Sequence, residues 1–210
     1  MKTIVVASQK GGAGKTTLAG HLAVAAEAAG AGPVALLDLD PQASLSAWWN
    51  ERQSTTPALA AGTAAGLGEQ LAALDAAGFA LCIIDTPPAV TDTIARTMEH
   101  ADLVVIPTRP SPHDLRAVGS TVALVEGASK RMVFVINGAA HRARITTEAA
   151  VALSQHGAVA TVTLHQRTDF ASSMTDGRTA QELDPASRSA GEVAQLWEYV
   201  HTQLCKHATT

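Results

Sequence analysis

The sequence is poor in cysteine, in aromatic residues and in long apolar runs. Its 210 residues include two cysteines, Cys82 and Cys205, and aromatic side chains make up 3% of the chain. Two cysteines provide no disulfide framework and fit a reducing cytoplasm. No apolar run approaches the roughly 20 residues that a membrane-spanning helix needs. We therefore expect a soluble, cytoplasmic protein without a membrane anchor.

The sequence also lacks a strong charge of either sign. Its formal net charge is −4, from 15 Lys and Arg against 19 Asp and Glu. This balance disfavours a globally basic nucleic-acid binder, so any contact with DNA must use a local patch. Apolar residues make up 47% of the chain, which is enough for one well-packed domain over 1–210. Because the first predicted strand begins almost at Met1, we expect neither a leader peptide nor an N-terminal DNA-reading domain.

A glycine-rich loop stands between a predicted strand and a predicted helix near the start of the chain. Its residues are Lys10, Gly11, Gly12, Ala13, Gly14, Lys15, Thr16 and Thr17. An apolar run over 3–7 precedes it and an Ala- and Leu-rich stretch over 16–29 follows, which favours a phosphate-binding loop over a flexible surface turn. Backbone N–H groups, the helix N-terminus and Lys15 would bind phosphates, and the Thr16 hydroxyl would bind Mg²⁺.

Two further apolar runs end in carboxylates. Residues 34–37 lead to Asp38 and Asp40, and residues 81–84 lead to Asp85. Parallel sheets place their ligands at the carboxyl ends of the strands, so these acids are expected beside the loop. Asp85 has the position of a residue that holds Mg²⁺. Asp38 and Asp40 also fit helix caps or turn formers.

The loop with its extra lysine, the Asp-Leu-Asp-Pro-Gln string at 38–42 and the Asp-Thr-Pro-Pro string at 85–88 together resemble the deviant Walker A ATPases of the ParA/MinD family. The resemblance extends along nearly the whole chain and implies ATP and Mg²⁺ as cofactors. It implies that Lys10 reaches the nucleotide of a second subunit in an ATP-sandwich dimer. It further implies that Asp40 orients the attacking water and that Asp38 supports the network around the metal and Lys15. One position departs from the common loop, because its first glycine is Gln9 here.

Alternating strand and helix patterns predict an α/β fold, with a doubly wound, mostly parallel sheet and helices on both faces. Further strands are predicted over 102–107 and 132–136, and prolines from Pro107 onward should end the first of them. A helix should start near Pro112. The resemblance places Pro107 near the nucleotide and Asn137 against adenine, although Asn after a strand is also a common turn residue. The low-complexity segment 54–68 is expected to be a mobile loop.

Basic residues are concentrated in the C-terminal half, where six Lys and Arg stand against three acids between Lys130 and Arg178. A solvated surface is the ordinary interpretation. The resemblance favours non-specific DNA binding by the ATP-bound dimer, through Arg142, Arg144, Arg167 and Arg178. It also implies a nucleoid-associated protein whose hydrolysis is stimulated by a ParB-like or cargo-adaptor partner, and which segregates or positions a plasmid, a chromosome or a protein complex.

The C-terminal segment carries an apolar stripe at helical spacing. Its members are Val193, Leu196, Trp197, Val200 and Leu204. Such a stripe is typical of a packed core face, and the basic polar face of an interfacial helix is missing. Membrane binding by this segment is therefore not favoured, and a MinD-like membrane ATPase is the alternative function. A metallochaperone would need a metal-ligating cysteine pair, and a ligase of the dethiobiotin synthetase type would need a small-molecule carboxylate pocket.

Overall fold

The computed structural model describes residues 1–88 and 92–206 and contains one parallel sheet. Within this part of the chain the sheet has seven strands in the order β3-β2-β4-β1-β5-β6-β7. The strands are β1 Lys2–Val6, β2 Val34–Asp38, β3 Ala58–Ala60, β4 Leu81–Asp85, β5 Leu103–Thr108, β6 Met132–Ile136 and β7 Ala158–Val159. Every neighbouring pair is parallel, which confirms the predicted fold class.

Helices connect the strands and cover both faces of the sheet. They are α1 Lys15–Ala28, α2 Ser44–Asn50, α3 Leu67–Ala76, α4 Asp92–Glu99, α5 Pro112–Gly127, α6 Arg144–Ser154, α7 Thr168–Ser173, α8 Ala180–Leu183 and α9 Arg188–Cys205. Short 3₁₀ turns occupy Ala64–Gly66 and Met174–Asp176. Helix α5 begins at Pro112, as predicted, and the Ser111 hydroxyl caps it by accepting from the Asp114 N–H.

The sheet separates two apolar cores. Ile4 and Val6 of β1 pack on the face covered by α1, α2 and α9, whereas Val5 packs on the face covered by α3 to α6. Successive side chains of a strand point to opposite faces, so a strand covered on both sides must be apolar throughout. The apolar stripe of α9 is buried in the first core, which confirms its predicted role as a packed face.

Strand β5 ends one residue later than predicted, because Pro107 continues it. Pro107 is aligned with Val135 of β6, and the strand ends only at Thr108. The Val105 carbonyl accepts the Ala7 N–H on the β1 side of this strand. Residue 107 faces the same side, where the ladder with β1 has just ended. A ladder donor is therefore not needed at this position, and proline is tolerated inside a central strand.

The segment 54–68 contains more regular structure than the expected loop. Strand β3 lies in its middle and pairs with β2 at the edge of the sheet, where Ala35 is aligned with Ala58. No helix of the described ranges 1–88 and 92–206 has both the length and the apolar character needed to cross a bilayer.

Candidate nucleotide-binding site

The glycine-rich loop joins β1 to α1 at the carboxyl edge of the sheet. Gly12 and Gly14 have φ angles of 74° and 91°, a region that residues with a side chain rarely adopt. A Cβ atom at Gly14 would lie 2.3 Å from the Asn137 amide nitrogen. Gly14 also caps α1, so the backbone N–H groups that follow it point out of the helix N-terminus. This geometry provides the donors and the helix dipole that bind phosphate.

Three polar groups meet in a buried cluster beside this loop. The Thr16 hydroxyl donates to Asp85 Oδ2 at 2.5 Å, while Asp85 Oδ1 is buried and has no hydrogen-bond partner among the described residues. Burial raises the pKa of Asp85 to about 7, against the influence of Thr16 and Lys15. Burial also lowers the pKa of Lys15, while the charges of Asp85 and Asp40 act in the opposite direction.

This cluster fits Mg²⁺ and phosphate. An unpaired buried carboxylate oxygen is costly unless a ligand satisfies it, and Mg²⁺ prefers hard oxygen donors such as those of Asp85 and Thr16. Lys15 is only 7% exposed, so its ammonium group also gains from an anion placed at the loop. The predicted metal and phosphate ligands Thr16, Asp85 and Lys15 are therefore brought together.

Asp38 is the last residue of β2 and Asp40 follows it, and both form hydrogen bonds to the segment that leads to α2. Asp38 accepts hydrogen bonds from the Asp40 N–H at 3.1 Å and from the Ser46 N–H and hydroxyl at 2.8 and 2.9 Å. Asp40 Oδ1 accepts from the Gln42 N–H at 3.0 Å. Asp38 thus stabilises the first turn of α2 and Asp40 forms a local turn, which are the two alternatives that the sequence left open.

A cavity of about 780 Å³ opens next to the loop on the side of β6. Thr17 and Leu18 of α1, Asn137 and Gly138 after β6, and the chain at 164–167 line it. The Asn137 amide nitrogen donates to the Ala13 carbonyl at 2.7 Å, which leaves Asn137 Oδ1 available as an acceptor. The volume suits the base and ribose of a nucleotide.

The proline-rich segment contributes a different residue from the one predicted. Pro107 is buried within the sheet and does not line the cavity, whereas Arg109, two positions later, does. Its guanidinium lies over Gly138, where a Cβ atom would be 3.6 Å from Arg109 Nε. The sequence also gave no indication that His165 and Gln166 line the cavity.

Lys10 is exposed at the start of the loop, and its backbone N–H donates to the Ser8 hydroxyl at 3.3 Å. Its side chain forms no ion pair within the described residues. Lys15 is buried beside Asp85, so the two lysines of one loop have opposite environments. An exposed ammonium group without a partner is available to a second molecule.

The four arginines predicted to bind DNA differ in exposure and in pairing. Arg142 is exposed and has no ion pair in the described part of the chain, and the Arg144 side chain is 92% exposed in a pair with Glu148. Arg167 is 23% exposed and donates to Glu192 at 2.7 Å. Arg178 is bound by Asp176 at 2.6 Å.

Arg52 and His21, which the sequence analysis did not single out, connect the N-terminal half of the chain to the C-terminal half. The buried Arg52 donates to the Gly177 carbonyl at 2.6 Å and to Glu182 at 2.8 Å. His21 lies on α1 and lines the cavity; its Nδ1 is 2.8 Å from the Thr17 carbonyl and its Nε2 accepts from the Ala180 N–H at 3.0 Å. Burial lowers the pKa of His21 to about 4. The partners Gly177, Glu182 and Ala180 are too distant in sequence for any local pattern to reveal them.

The site combines a glycine loop, the buried Lys15 and the Thr16–Asp85 pair at the edge of a parallel sheet. This combination defines a P-loop nucleotide-binding protein. A family model described as the CobQ/CobB/MinD/ParA nucleotide binding domain (CbiA) matches residues 4–180. The chain belongs to this family, as the resemblance predicted.

Individual relatives come from several positioning systems. The chain is 39% identical over 138 residues to maintenance of carboxysome distribution protein A of Gloeobacter kilaueensis, which covers 63% of this chain and 62% of that protein. It is 36% identical over 128 residues to protein ParA of Rhizobium radiobacter, which covers 60% of this chain and 56% of that protein. Both matches therefore span less than two thirds of the relative's length.

Among solved structures, the septum site-determining protein MinD of Pyrococcus horikoshii, complexed with Mg-ADP, superimposes with a TM-score of 0.79. It is 16% identical and covers 100% of this chain and 99% of that chain. At this identity the likeness supports the fold.

Proposed function

We propose that this protein is a ParA-type ATPase whose bound nucleotide controls dimerisation and DNA binding. The observation that carries the proposal is the unpaired, buried Asp85 oxygen beside Thr16, at the N-terminus of the helix that holds Lys15. Buried polar groups are normally satisfied, so this arrangement is expected to complete itself with a metal ion and phosphate.

Each residue of the site has a role in ATP hydrolysis under this proposal. The loop N–H groups and Lys15 bind the phosphates, and Thr16 with Asp85 holds Mg²⁺, which neutralises charge on the β- and γ-phosphates. Asp40 orients the attacking water. Asn137 contacts adenine through its free Oδ1.

The exposed Lys10 supports a dimer in which two ATP molecules lie between protomers. Lys10 has no partner of its own in the described chain, and the resemblance assigns it to the nucleotide of the second subunit. Because its contact forms only across the interface, ATP closes the dimer, and hydrolysis releases the monomers.

The ATP-bound dimer would bind DNA through exposed arginines and carry out segregation or positioning of a cargo. Arg142, Arg144 and Arg178 are the exposed members of the predicted set, Arg178 in a pair with Asp176, and a dimer would present each of them twice. Its relatives' names mention carboxysome distribution and ParA, so a protein compartment and a plasmid are the cargo classes that we propose. A ParB-like or cargo-adaptor protein would stimulate hydrolysis. We place the protein in the cytoplasm, associated with the nucleoid.

Binding to two unrelated DNA duplexes tests this function. We expect ATP-loaded protein to bind both with similar affinity, and ADP-loaded or nucleotide-free protein to bind far more weakly. Contacts to phosphate carry no sequence information, and the affinity should fall steeply as salt increases. If ATP-loaded protein ignored DNA and instead pelleted with anionic liposomes, the MinD-like alternative would replace this proposal.

A further inference from the structure

His165 lies on the cavity wall because the chain around it is paired to the end of β6. The Ala139 N–H donates to the Leu164 carbonyl at 3.1 Å, and the Gln166 N–H donates to the Ala139 carbonyl at 2.9 Å. These two hydrogen bonds fix the backbone on both sides of His165. They place it next to Asn137 and Gly138, with which it lines the cavity.

Glu192 of α9 fixes the orientation and the proton of the His165 ring. His165 Nδ1 is 2.8 Å from Glu192 Oε1, and the His165 backbone N–H donates to Oε2 at 3.1 Å. Arg167 also donates to Oε1, at 2.7 Å, so the carboxylate is held in place and charged. An ionised carboxylate only accepts hydrogen bonds, so Nδ1 must carry the proton. In the neutral ring Nε2 is then an acceptor.

His165 offers the cavity an acceptor without a competing donor. It keeps Nε2, because Nδ1 is occupied by Glu192, whereas Asn137 keeps both Oδ1 and one amide N–H, because the Ala13 carbonyl uses only one of the two. The hydrogen bond of Nδ1 to Glu192 sets the orientation of the His165 ring. A ligand group that meets Nε2 has to be a donor.

We infer that His165 is a base-selecting residue, whose Nε2 accepts a hydrogen bond from the 6-amino group of adenine and disfavours purines with a 6-oxo group. The inference rests on the proposed function, since it assumes that ATP occupies the cavity. A 6-oxo purine would bring an acceptor against His165 Nε2 and leave both acceptors unsatisfied. A site built to bond one polar group rejects the analogue that cannot provide the partner.

Competition binding with ATP and inosine triphosphate at about pH 8 tests this inference. The two nucleotides share ribose and phosphates and differ at the purine 6-position and at N1. We expect wild type to prefer ATP, and His165→Phe to reduce the ATP/inosine triphosphate affinity ratio by about fivefold, as the loss of one hydrogen bond predicts. His165→Gln keeps a side-chain acceptor and should retain part of the preference.

His141→Phe is the matched control. The rings of His141 and His165 lie 5.6 Å apart, but His141 is exposed and does not line the cavity. We expect its affinity ratio to equal that of wild type. If the larger ring of His165→Phe prevents folding, His165→Ala replaces it, with the same expected decrease in the affinity ratio. Circular dichroism checks the fold of each variant.

The outcomes distinguish a failure of the proposed ATPase function from a failure of the role of His165. A wild type that bound neither nucleotide would contradict the proposed ATPase function itself. Wild-type binding of ATP with an unchanged ratio in both His165→Phe and His165→Ala would overturn the role of His165 alone. Equal binding of ATP and inosine triphosphate by wild type would overturn it as well.

Discussion

The phosphate end of the site and the basic residues of the C-terminal half hold their charges in opposite ways. At the phosphate end, Lys15 is buried and one oxygen of Asp85 has no partner among the described residues. In the C-terminal half, Arg167 and Arg178 are already paired with Glu192 and Asp176. Unsatisfied buried polarity indicates a missing ligand, whereas a satisfied ion pair indicates a structural contact.

Nucleotide binding and DNA binding, the two parts of the proposed function, therefore have different structural support. Nucleotide binding is supported by groups that lack a partner within the protein. DNA binding by Arg167 would require breaking a partly buried bond to Glu192, whereas Arg142 can contact phosphate without losing an ion pair. The predicted arginines therefore differ, since Arg142 has no ion pair within the described residues, Arg144 forms an exposed pair with Glu148, and Arg167 is held by the partly buried Glu192.

Removing Lys15 should have the largest effect. Lys15→Ala deletes the buried cation that faces the β- and γ-phosphates, and we expect ATP affinity to fall by about 100-fold or more, in line with the loss of a charged hydrogen bond. Titration calorimetry measures this loss. In Lys10→Ala, the matched control from the same loop, the monomer should bind ATP about as well as wild type. Equal loss in both variants would contradict the distinction between the two lysines.

Asp40→Ala should separate hydrolysis from binding. The variant lacks the group that positions water, so we expect ATP affinity to stay near wild type while turnover falls by about 100-fold, within the range of acid–base and orienting groups. Steady-state phosphate release measures turnover. Glu126→Ala removes an exposed carboxylate of α5 and should leave turnover unchanged. Normal turnover in Asp40→Ala would refute the role of Asp40.

The sequence predicted the phosphate end well because its information is local. Strand, glycine loop and helix are consecutive, and the acids stand directly at the ends of apolar strands. At the opposite end of the cavity only Asn137 was predicted, from the resemblance, since Arg109, Asn137 and His165 come from three separate connections. The pairing of Arg167 with Glu192 also joins the residue before α7 to a distant helix, α9. Strand β3 was missed because its Ala-Leu-Ala sequence has no strand signature of its own.

Charge reversal should distinguish the exposed Arg142 and Arg144 from the partly buried Arg167. We expect the double variant Arg142→Glu/Arg144→Glu to weaken DNA binding on all sequences alike and to flatten the salt slope of the dimer by about 3.6, from about 0.9 for each of four lost phosphate contacts. Arg167→Glu should have a smaller effect on the slope and a larger one on thermal stability, because it places a second carboxylate beside Glu192. Fluorescence anisotropy at several salt concentrations and thermal melts compare them. A larger slope change in Arg167→Glu would reverse this assignment.

The smallest expected effect concerns His21, which joins α1 to α8. Its pKa of about 4 in the folded protein lies below the ordinary value of 6.5, so its contribution to stability is complete above pH 6.5 and is lost as the pH falls towards 4. At pH 5 the loss is roughly 2 kcal/mol. Asp85 acts in the opposite direction, since its raised pKa favours folding at lower pH. The difference between wild type and His21→Asn in urea melts at pH 8 and pH 5 isolates His21. Parallel pH dependence in the two proteins would contradict this contribution.

The ATP-dependent dimer and the role of Lys10 in it are tested by sedimentation velocity of wild type and Lys10→Ala, each with ATP, with ADP and without nucleotide. We predict that wild type forms a dimer with ATP and remains a monomer with ADP, because Lys10 contacts a phosphate that only ATP supplies across the interface. Lys10→Ala should remain a monomer in all three conditions while still binding ATP. Dimerisation of Lys10→Ala with ATP, as in wild type, would contradict the role of Lys10. A wild-type mass that was the same with ATP, with ADP and without nucleotide would contradict the ATP-dependent dimer.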